Sequence, residues 1–461
     1  MEKFSTLPAA LLIRKEGFEC SCGNKHTASA LKVIKIGDGV VTELPEVLKT
    51  VGIKKPFIVT DKNEYSAAGE RVIEILKSAD VPYSIHIIPS EEGKRVIPSE
   101  LATGSIALNF DHGCDGILCV GSGVMNDLCK VISRLTGKPS VVVATAPSMD
   151  GYASDVACVE INNVKLTLKQ VIPSALICDT AIMSQAPMHM LHAGLGDMLG
   201  KFSALCEWKI ASIVKGESYC AETEELVRAS LGKIVEGSAG IPHRDTESVR
   251  TVAEGLILSG IAMAYVGHSR PASGLDHYFS HCWEMIALSK GEECDLHGIQ
   301  VGIGTLLALK IYERLKTLKP DMDRAIAAAD SFDSEAWEAN LRRVFGDTAE
   351  DIIKMELKVQ KNERQARLQR AKRIIDNWDE ILRIADSAPS YSKIKTLMDS
   401  VGMPTSPDEI FVEKQAVIDA FICSRDVRDK YLLSSMLWDI GYMEEVAGWL
   451  YDDLYGASAE K

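Results

Sequence analysis

Three segments in the middle of the chain carry side chains of the kind that bind divalent metal ions in enzymes. Asp197 lies in HAGLGDMLGK, where a carboxylate among apolar residues and glycines needs a cation to offset the cost of its burial. His277 and His281 follow in SRPASGLDHYFSH, four residues apart and so on one helix face, and His297 begins another predicted helix in DLHGIQVG. One carboxylate and two imidazoles suit a catalytic Zn²⁺, Ni²⁺ or Fe²⁺ site with an open position. Spacing alone does not bring separate segments together, so packed or surface histidines are the alternative.

A glycine-containing loop, GSGVMND at residues 121–127, follows a predicted buried strand at 116–120 and opens a predicted helix at 127–135. Gly121 and Gly123 would let the backbone approach a diphosphate closely, and the N–H groups at a helix N-terminus favour an anion. The loop comes after the fourth strand and lacks the third glycine of the usual dinucleotide fingerprint. A strand-to-helix turn that needs glycine for its geometry alone is the alternative.

Two other predicted strands also end in polar side chains. Asp61 ends the second strand, where a carboxylate accepts hydrogen bonds from a ribose diol and repels a 2′-phosphate, which favours NAD over NADP. A helix N-cap is the alternative for this residue. The loop ATAPSMDGYAS at 144–154 follows the fifth strand and contains Thr145, Ser148 and Asp150. Because the carboxyl ends of parallel strands meet at one edge of a sheet, these loops together predict a nucleotide site.

Basic side chains near the candidate metal ligands suggest a phosphorylated ligand. Arg270 stands seven residues before His277, and its planar guanidinium suits bidentate phosphate binding. Lys201 lies one predicted helical turn beyond Asp197 on the same face, and Lys165 is a third candidate. Ordinary salt bridges are the alternative for Arg270 and Lys201.

The elements that must position these side chains change in character along the chain. Before residue 180, short segments rich in Val and Ile alternate with helical stretches, which is typical of a layered α/β domain. Beyond residue 181 the apolar residues follow helical spacing, and a charged segment at 358–373 predicts a solvated helix face. We therefore predict a nucleotide-binding α/β domain at 1–180 and an all-helical domain at 181–461, in which 340–461 is a less diagnostic extension. The predicted strands are 32–36, 57–60, 83–88, 116–120, 141–144 and 175–178, with a hairpin at 156–161 and 164–168.

The bulk composition narrows the classes of partner. The 461 residues include 65 acidic and 51 basic side chains, for a net charge of −14, and no basic stripe predicts nucleic-acid binding. No run approaches the ~20 apolar residues that span a bilayer, and the first residues lack the form of a signal peptide. Twelve cysteines, many in apolar runs, favour reduced thiols in a cytoplasmic protein.

One cysteine cluster stands apart, in CSCGNKH at residues 20–26. Cys20, Cys22 and His26 suggest zinc, but a structural site needs four ligands, and no second pair of ligands follows nearby. A plain turn is the preferred interpretation of this segment.

Five strings occur in an order that identifies a superfamily: GSGVMNDL, ATAPSMDGYAS, GLGDMLGK, SRPASGLDH and LHGIQVG. The chain resembles the iron-containing alcohol dehydrogenases and dehydroquinate synthases, and within them the glycerol-1-phosphate dehydrogenases of the longer bacterial form, which have a segment like CSCGNKH. The resemblance covers about residues 15–450, and SRPASG followed by an acid and a histidine is its most specific part. The chain departs from the pattern at GSG, where many members have GGG, and at Asp276, where relatives commonly have Glu.

The resemblance implies a dehydroquinate synthase-like fold, with a Rossmann-like N-terminal domain, an all-α C-terminal domain and the active site in the cleft between them. The implied cofactors are NAD(H) or NADP(H) and one divalent metal, Zn²⁺ or Ni²⁺ or Fe²⁺, held by Asp197, His277 and His297. The implied cofactor contacts are Asp61 on the ribose, Gly121, Ser122, Gly123, Asn126 and Asp127 on the diphosphate, Thr145 and Ser148 beside the nicotinamide, and Ser154 next to Asp150 where cofactor and substrate meet.

The implied reaction is reversible hydride transfer between dihydroxyacetone phosphate and sn-glycerol 1-phosphate. Catalytic candidates are Asp150, His281 and Lys201, and substrate-binding candidates are Asp150, Arg270, Ser273 and Lys165. The alternatives are a cyclase or lyase of the dehydroquinate synthase type, a glycerol or alcohol dehydrogenase, and a non-catalytic nucleotide-binding protein. The expected partners are a small phosphorylated substrate and copies of the same chain, in a homodimer or higher homo-oligomer, with no nucleic acid and no membrane.

Overall fold

The computed structural model describes residues 4–7, 9–13, 18–27, 29–90, 95–161 and 164–456, and for residues 18, 19 and 164–167 it describes the backbone alone. The chain forms two compact units, and both are discontinuous in sequence. The first contains residues 1–198 and 220–269, and the second contains 199–219 and 270–461. The predicted division after residue 180 follows the change from strands to helices, and as a division into functional domains it stays a prediction.

The strands all belong to the first unit. Within the described residues they are β1 (Phe18–Glu19), β2 (Lys25–His26), β3 (Val33–Gly37), β4 (Pro56–Asp61), β5 (Ser84–Ile88), β6 (Gly116–Gly121), β7 (Ser140–Ala144), β8 (Val156–Ile161), β9 (Val164–Lys169) and β10 (Ala175–Asp179). Six of them form one sheet in the order β3-β10-β7-β6-β4-β5, with every neighbouring pair parallel. The pairs β1–β2 and β8–β9 are small antiparallel ribbons.

The sequences of the central strands explain their place in the sheet. All residues of β6 (GILCVG), β7 (SVVVA) and β10 (ALICD) are buried, as expected when helices cover both faces of a parallel sheet. The edge strand β5 is only partly buried. The loops that follow β4, β6 and β7 therefore leave the sheet at one edge, where the sequence predicted a nucleotide site.

The α-helices of the described chain surround the sheet or form the second unit, joined by loops and short 3-10 turns. They are α1 (Leu44–Val51), α2 (Lys62–Glu64), α3 (Glu70–Ser78), α4 (Glu100–Leu108), α5 (Gly123–Thr136), α6 (Thr180–Met183), α7 (Met188–Leu199), α8 (Lys201–Lys215), α9 (Ala221–Gly237), α10 (Thr246–Val266), α11 (Leu275–Lys290), α12 (His297–Leu315), α13 (Met322–Asp330), α14 (Ser334–Phe345), α15 (Ala349–Val359), α16 (Arg364–Asp376), α17 (Trp378–Asp386), α18 (Tyr391–Val401), α19 (Lys414–Cys423), α20 (Leu433–Asp439) and α21 (Met443–Tyr455). Of these, α10 is long and apolar enough to cross a bilayer, and 67% of its most apolar window is buried inside the protein, as in a core helix.

The predicted elements agree with this fold, with two differences. The helix expected to carry both Asp197 and Lys201 is interrupted at Gly200, so Asp197 lies in the last turn of α7 and Lys201 begins α8. The segment 358–373, expected as a solvated face, contains Arg367, which is only 2% exposed. Its guanidinium lies 4.1 Å from the ring centre of Trp438 and donates to the carbonyl oxygens of Ala328 and Trp438. The turn predicted at 162–163 lies outside the described residues.

Candidate functional site

Three histidines come together in the second unit. His277 and His281 lie on α11, and His297 is the first residue of α12. The ring centres of His277 and His297 are 5.3 Å apart, as are those of His281 and His297, and those of His277 and His281 are 6.4 Å apart. The two predicted imidazole ligands of a metal ion, His277 and His297, are therefore neighbours.

Acceptors at Nδ1 orient both of these imidazoles. The Asp276 carboxylate contacts Nδ1 of His277, and Ser203 donates to the other oxygen of that carboxylate. Nδ1 of His297 lies 2.9 Å from Ser280 Oγ and 3.3 Å from Glu284 Oε1. An imidazole that donates from Nδ1 to a carboxylate presents the Nε2 lone pair, and this arrangement is usual around metal-bound histidine. The pair thus has the chemistry of two metal ligands.

Close backbone packing fixes the position of α11. A Cβ at Gly274 would lie 3.0 Å from Ala204 Cα, and a Cβ at Gly304 would collide with the carbonyl oxygen of Asp276. The first backbone N–H of α11, at Leu275, donates to Glu207 Oε1 at 2.8 Å. Glu207 is buried, and burial raises its pKa to about 8. The glycine of SRPASG is therefore a packing requirement, which positions the Asp276–His277 pair.

A second group of possible ligands shares His297. Ligand atoms of His281, Glu284 and His297 lie within 4.8 Å of one another. Burial lowers the pKa of His281 well below its ordinary value, so this imidazole is neutral at pH 7. Glu284 was missed by the sequence reasoning, although its spacing of three residues from His281 places both on one face of α11.

Asp197 and Asp150 are neighbours in the first unit. Asp197 is 1% exposed, and the backbone N–H of Asp150 donates to its Oδ2 at 2.8 Å. The Asp150 carboxylate accepts a hydrogen bond from Ser259 Oγ at 2.9 Å. A Cβ at Gly194 would overlap the carbonyl oxygen of Pro147, so only glycine lets α7 approach this loop so closely. The predicted metal-binding carboxylate and the predicted substrate-binding carboxylate therefore share one corner of the unit.

The glycine loop lies where the sequence predicted it, between β6 and α5. The backbone N–H and the hydroxyl of Ser122 both donate to Glu64 Oε1, at 3.1 and 2.8 Å. Burial raises the pKa of Glu64. The donors at the N-terminus of α5 therefore already hold an acidic group, which the sequence analysis had not singled out.

The other predicted cofactor residues surround this loop and also stabilise it. The backbone N–H of Thr145 donates to the carbonyl oxygen of Gly121 at 3.3 Å, which joins the loops after β6 and β7, and Ser148 lies in the second of these loops. Asp61 is a helix N-cap, since its Oδ1 accepts from the backbone N–H of Glu64 at 2.8 Å. The capping alternative is therefore correct, and it leaves the ribose assignment as a prediction.

Side chains of α5 connect the hairpin of β8 and β9 to the loop that contains Asp150. Asp127 accepts hydrogen bonds from the side chain of Asn126 and from the backbone N–H of Cys158 in β8. The fully buried Lys130, another residue missed from the sequence, donates to the Gly151 carbonyl at 2.5 Å and to Ser154 Oγ at 3.2 Å. Asp127 and Ser154 thus hold the framework of the loops, whatever they contact in a bound cofactor.

The predicted cations have different surroundings. Arg270 donates from Nε and Nη2 to the two carboxylate oxygens of Glu217, at 2.6 and 2.5 Å, and from Nη1 to the Tyr431 carbonyl at 2.6 Å. The salt-bridge alternative thus describes Arg270 in this structure. Lys430 was not foreseen, and its Nζ donates to the Ser273 carbonyl at 2.6 Å. Burial lowers the pKa of Lys430 to about 7. Lys201 is completely buried, and the side chain of Lys165 lies outside the described residues.

Known proteins resemble this chain at two levels. The sequence model of the family described as iron-containing alcohol dehydrogenase matches residues 35–187. The glycerol-1-phosphate dehydrogenase [NAD(P)+] of Halalkalibacterium halodurans is 34% identical over 295 residues, which are 64% of this chain and 74% of that protein. The chain belongs to the glycerol-1-phosphate dehydrogenase family. The Bacillus licheniformis member is 28% identical over 437 residues, covering 95% of this chain and 96% of its own length.

Solved structures confirm the fold of the family. Glycerol dehydrogenase from Schizosaccharomyces pombe superposes with a TM-score of 0.60 at 13% identity, over 94% of this chain and 92% of that one. Alcohol dehydrogenase from Oenococcus oeni gives a TM-score of 0.58 at 16% identity, over 92% and 98%. The predicted fold class, an α/β domain followed by a helical domain, is confirmed. The names of the relatives are consistent with the expected NAD(P) cofactor, and the family is consistent with a divalent metal.

Proposed function

We propose that this chain interconverts dihydroxyacetone phosphate and sn-glycerol 1-phosphate with NAD(H) or NADP(H), as a metal-dependent dehydrogenase. The observation that carries the proposal is the pair of imidazoles, His277 and His297, each held at Nδ1 by an acceptor. Relatives that match nearly the full length are named glycerol-1-phosphate dehydrogenase [NAD(P)+], which supports the same conclusion.

The proposed metal ligands are Asp197, His277 and His297. The donor set fits a divalent cation, because the carboxylate is almost fully buried and the two imidazoles are neighbours in the described structure. A metal ion bound there acts as a Lewis acid on the substrate oxygen. Two nitrogens and one carboxylate oxygen suit Zn²⁺, Ni²⁺ and Fe²⁺ alike, so metal analysis of the purified protein decides between them.

The proposed cofactor site is the sheet edge formed by the loops after β4, β6 and β7. Ser122 donates two hydrogen bonds to a carboxylate at the N-terminus of α5, so the loop has the donors that an anionic diphosphate needs. NAD(P)H supplies the hydride when bound. Asp61 lies at the end of β4, where a carboxylate disfavours a 2′-phosphate, and we propose a preference for NAD(H) on that ground. The ratio of kcat/KM for NADH and NADPH tests the preference.

Two side chains are proposed to handle the proton. Asp150 is fixed by Ser259 beside Asp197, and His281 is neutral at pH 7 because burial lowers its pKa. A neutral imidazole accepts a proton at one nitrogen and releases one from the other, which is what a relay requires. The Asp150→Asn and His281→Gln variants distinguish the two routes, since only the variant in the route should change the pH profile of kcat.

Substrate phosphate is proposed to bind near Ser273. Arg270 is on the same segment, but its guanidinium is paired with Glu217 and would need to exchange that partner for phosphate. Lys430 donates to the Ser273 carbonyl, and because its pKa is about 7 it brings a side chain to this segment that phosphate would favour in the protonated form. The Arg270→Ala variant should raise KM for dihydroxyacetone phosphate and leave KM for NADH unchanged. An unchanged substrate KM would contradict the assignment.

One assay tests the whole proposal. NADH oxidation is measured with dihydroxyacetone phosphate and with dihydroxyacetone, and the chirality of the product is determined. We expect fast turnover of the phosphorylated substrate alone and the sn-glycerol 1-phosphate product. Comparable rates with both substrates would favour a glycerol dehydrogenase, and no net change in NADH with turnover of a phosphorylated substrate would favour a cyclase or lyase.

We further propose a cytoplasmic homodimer or higher homo-oligomer. Twelve cysteines are present and all are free thiols, which is usual where glutathione keeps proteins reduced. Light scattering after gel filtration tests the assembly, and a monomer at micromolar concentration would contradict it.

A further inference from the structure

Four side chains that the proposed reaction does not use converge in the first unit. Cys20, Cys22 and His26 come from the N-terminal ribbon, and Cys220 immediately precedes α9, some 200 residues further along the chain. One ligand atom of each lies within 4.8 Å of the other three. Cys220 is the fourth ligand that the CSCGNKH segment lacked at the level of sequence.

The imidazole presents a lone pair to the three sulfurs. Nδ1 of His26 lies 3.0 Å from the carbonyl oxygen of Tyr265, and a carbonyl only accepts, so Nδ1 carries the proton. Nε2 then has its lone pair directed at Sγ of Cys20, Cys22 and Cys220, at 3.0, 3.2 and 3.5 Å. One thiol proton at most satisfies Nε2, and without a cation the other thiols are left with weak S–H contacts to neighbouring sulfurs, at 2.8 Å between Cys20 and Cys22 and 3.6 Å between Cys20 and Cys220.

Each sulfur also receives a hydrogen bond of the kind that stabilises a metal-bound thiolate. The backbone N–H of Cys22 donates to Cys20 Sγ at 3.3 Å, and that of Asn24 donates to Cys22 Sγ at 3.4 Å. The Thr223 hydroxyl donates to Cys220 Sγ at 3.3 Å. Cys220 also lies at the N-terminus of α9, where the helix dipole favours negative charge.

The spacing of the donor atoms fits a small tetrahedral cation better than a disulfide. Bonds of about 2.3 Å to sulfur and 2.0 Å to nitrogen place ligand atoms about 3.5–3.8 Å apart in a tetrahedron. The distances from Cys220 Sγ to Cys20 Sγ and to His26 Nε2 are 3.6 and 3.5 Å. The Cys20 and Cys22 sulfurs are 2.8 Å apart, too far for a disulfide bond of about 2.05 Å. These two sulfurs and His26 Nε2, at 3.0 and 3.2 Å from them, lie closer together than in a tetrahedral site, so a bound cation would spread the three atoms by less than about 1 Å.

We propose that Cys20, Cys22, His26 and Cys220 bind one Zn²⁺ in a structural site separate from the catalytic metal. Three thiols release their protons on binding, and three thiolates with one imidazole complete a closed tetrahedral shell, which leaves no position for a substrate. Cys20, His26 and Cys220 are at most 9% exposed, as in a closed site. Thiolate-rich ligand sets select Zn²⁺ over the harder divalent ions.

The site fastens the N-terminal segment to α9 and α10. Other contacts join the same elements: Ser21 Oγ lies 3.0 Å from Glu222 Oε1, the backbone N–H of Thr27 donates to the Tyr265 carbonyl, and the Phe4 ring centre is 5.6 Å from that of Tyr265. Ser5 Oγ also donates to Glu225 Oε1 at 3.3 Å, and the Tyr265 hydroxyl donates to the Leu12 carbonyl oxygen. Two-residue strands and short turns order a segment weakly by themselves. A metal ion at this site would therefore fix the ribbon of β1 and β2 to α9 and α10, in addition to these contacts.

Metal analysis of the full-length protein tests the site. Purified without chelator, the wild type should retain one more zinc per chain than Cys220→Ser, and Cys220→Ser should melt at a lower temperature. Cys114→Ser is the matched control, because Cys114 is equally buried and its sulfur lies 3.7 Å from Asp111 Oδ2, which accepts a serine hydroxyl. His277→Ala removes a proposed catalytic ligand and should keep the structural zinc. Equal zinc in the wild type and Cys220→Ser would overturn the proposal.

A second measurement uses the wild type alone and decides the matter if Cys220→Ser does not fold. Protein produced with Co²⁺ should show a thiolate-to-cobalt charge-transfer band, which the sulfur-free catalytic ligand set cannot give. Iodoacetamide should modify the partly exposed Cys22 only after the metal is removed. Absence of the band, rapid alkylation of the loaded protein, or a Cys20–Cys22 disulfide in the intact mass would each contradict a zinc site. Failure of the proposed dehydrogenase activity would leave these signals unchanged.

Discussion

The Asp276–His277 pair is the most specific residue-level feature of the candidate catalytic site. In Asp276→Asn the amide oxygen can still accept from Ser203, which leaves an amide N–H facing Nδ1 of His277. That contact would favour the tautomer protonated at Nε2, which has no lone pair at Nε2 for the metal. We expect catalytic-metal affinity and activity to fall about 10–100-fold, measured by competition with a chelator and by steady-state kinetics. Asp379→Asn, on the exposed face of α17, is the control, and equal losses in both variants would contradict a positioning role.

His277→Ala removes a proposed ligand itself. We expect turnover to fall by about three orders of magnitude or more, because a Lewis acid contributes several kcal/mol to the transition state. Catalytic-metal content should fall with it, while NADH binding, measured by fluorescence titration, should stay near the wild-type value. Retained metal and turnover would mean that His281, Glu284 and His297 form the true ligand set.

Glu207 makes stability depend on pH in a definite direction. Burial raises its pKa in the folded protein to about 8, so the folded state keeps a proton that the unfolded state loses at about pH 4.5. This contribution to stability is fully present below pH 4.5 and is lost as pH rises to about 8, at a slope near 1.4 kcal/mol per pH unit. Glu207→Gln should flatten the fall of Tm between pH 5 and 8. Parallel pH profiles of Tm for the two proteins would contradict the assignment.

Sequence reasoning identified the histidines that lie together in the second unit and missed several of the side chains that the other predicted residues contact. His277, His281 and His297 were found because histidines in predicted helices can be identified directly from the sequence. Glu64, Glu217 and Lys430 were missed, because each meets its partner through contacts more than fifty residues away in sequence. Arg270 is the clearest case, because the sequence shows a guanidinium that could bind either a phosphate or a carboxylate and does not show that Glu217 is its partner.

Two glycines in helices show how close packing and helix propensity affect stability in opposite directions. Gly194 of α7 passes so close to Pro147 that a Cβ would overlap its carbonyl oxygen, whereas a Cβ at Gly232 of α9 meets nothing within 4 Å. We expect Gly194→Ala to destabilise the protein by about 1–3 kcal/mol or more. Gly232→Ala should stabilise it by up to about 1 kcal/mol. Thermal unfolding measures both, and equal shifts would show that the close approach is relieved without cost.

The charged helix α16 gives a second comparison within one element. Arg367 is buried against Trp438 and donates to two carbonyl oxygens, so Arg367→Ala should leave a cavity and two buried unpaired acceptors. We expect a loss of about 3 kcal/mol in the free energy of unfolding. Arg364, on the same helix, makes an exposed ion pair with Asp330, and Arg364→Ala should change stability by less than about 1 kcal/mol. Similar losses would mean that α16 is solvated as its charge predicted.

Local patterns predicted the elements of the sheet well, because a strand buried on both faces reads as a short apolar run bounded by turn residues. The spans of β6, β7 and β10 were predicted to within one residue at each end. The amphipathic pattern of α16 was misread, since arginine buries its stem and its guanidinium together when aromatic rings and carbonyl groups surround it. A helix rich in charged residues can therefore expose its arginines to solvent or pack them on tryptophan, and its charge does not distinguish the two cases.

For the whole molecule, the sequence predicted the class of architecture and missed the long-range connections. Each unit is built from two separate stretches of chain, 1–198 with 220–269 and 199–219 with 270–461, an arrangement that composition does not reveal. The same limit concealed the proposed zinc site, because Cys220 stands among helical residues with no other ligand near it in the chain. A single cysteine at a helix N-terminus suggests a metal site only once the fold is known to bring three further ligands to it.

The strand order has a consequence for synthesis on the ribosome. Among the described strands β3 pairs with β10 alone, and Val33 lies opposite Ala175, so the first strand of the sheet emerges about 140 residues before its neighbour. At about 5–20 residues per second, that interval is on the order of ten seconds, during which an apolar strand has an unpaired edge. Nascent chains stalled before residue 175 should therefore recruit chaperones, and chains released beyond it should not need them for this strand.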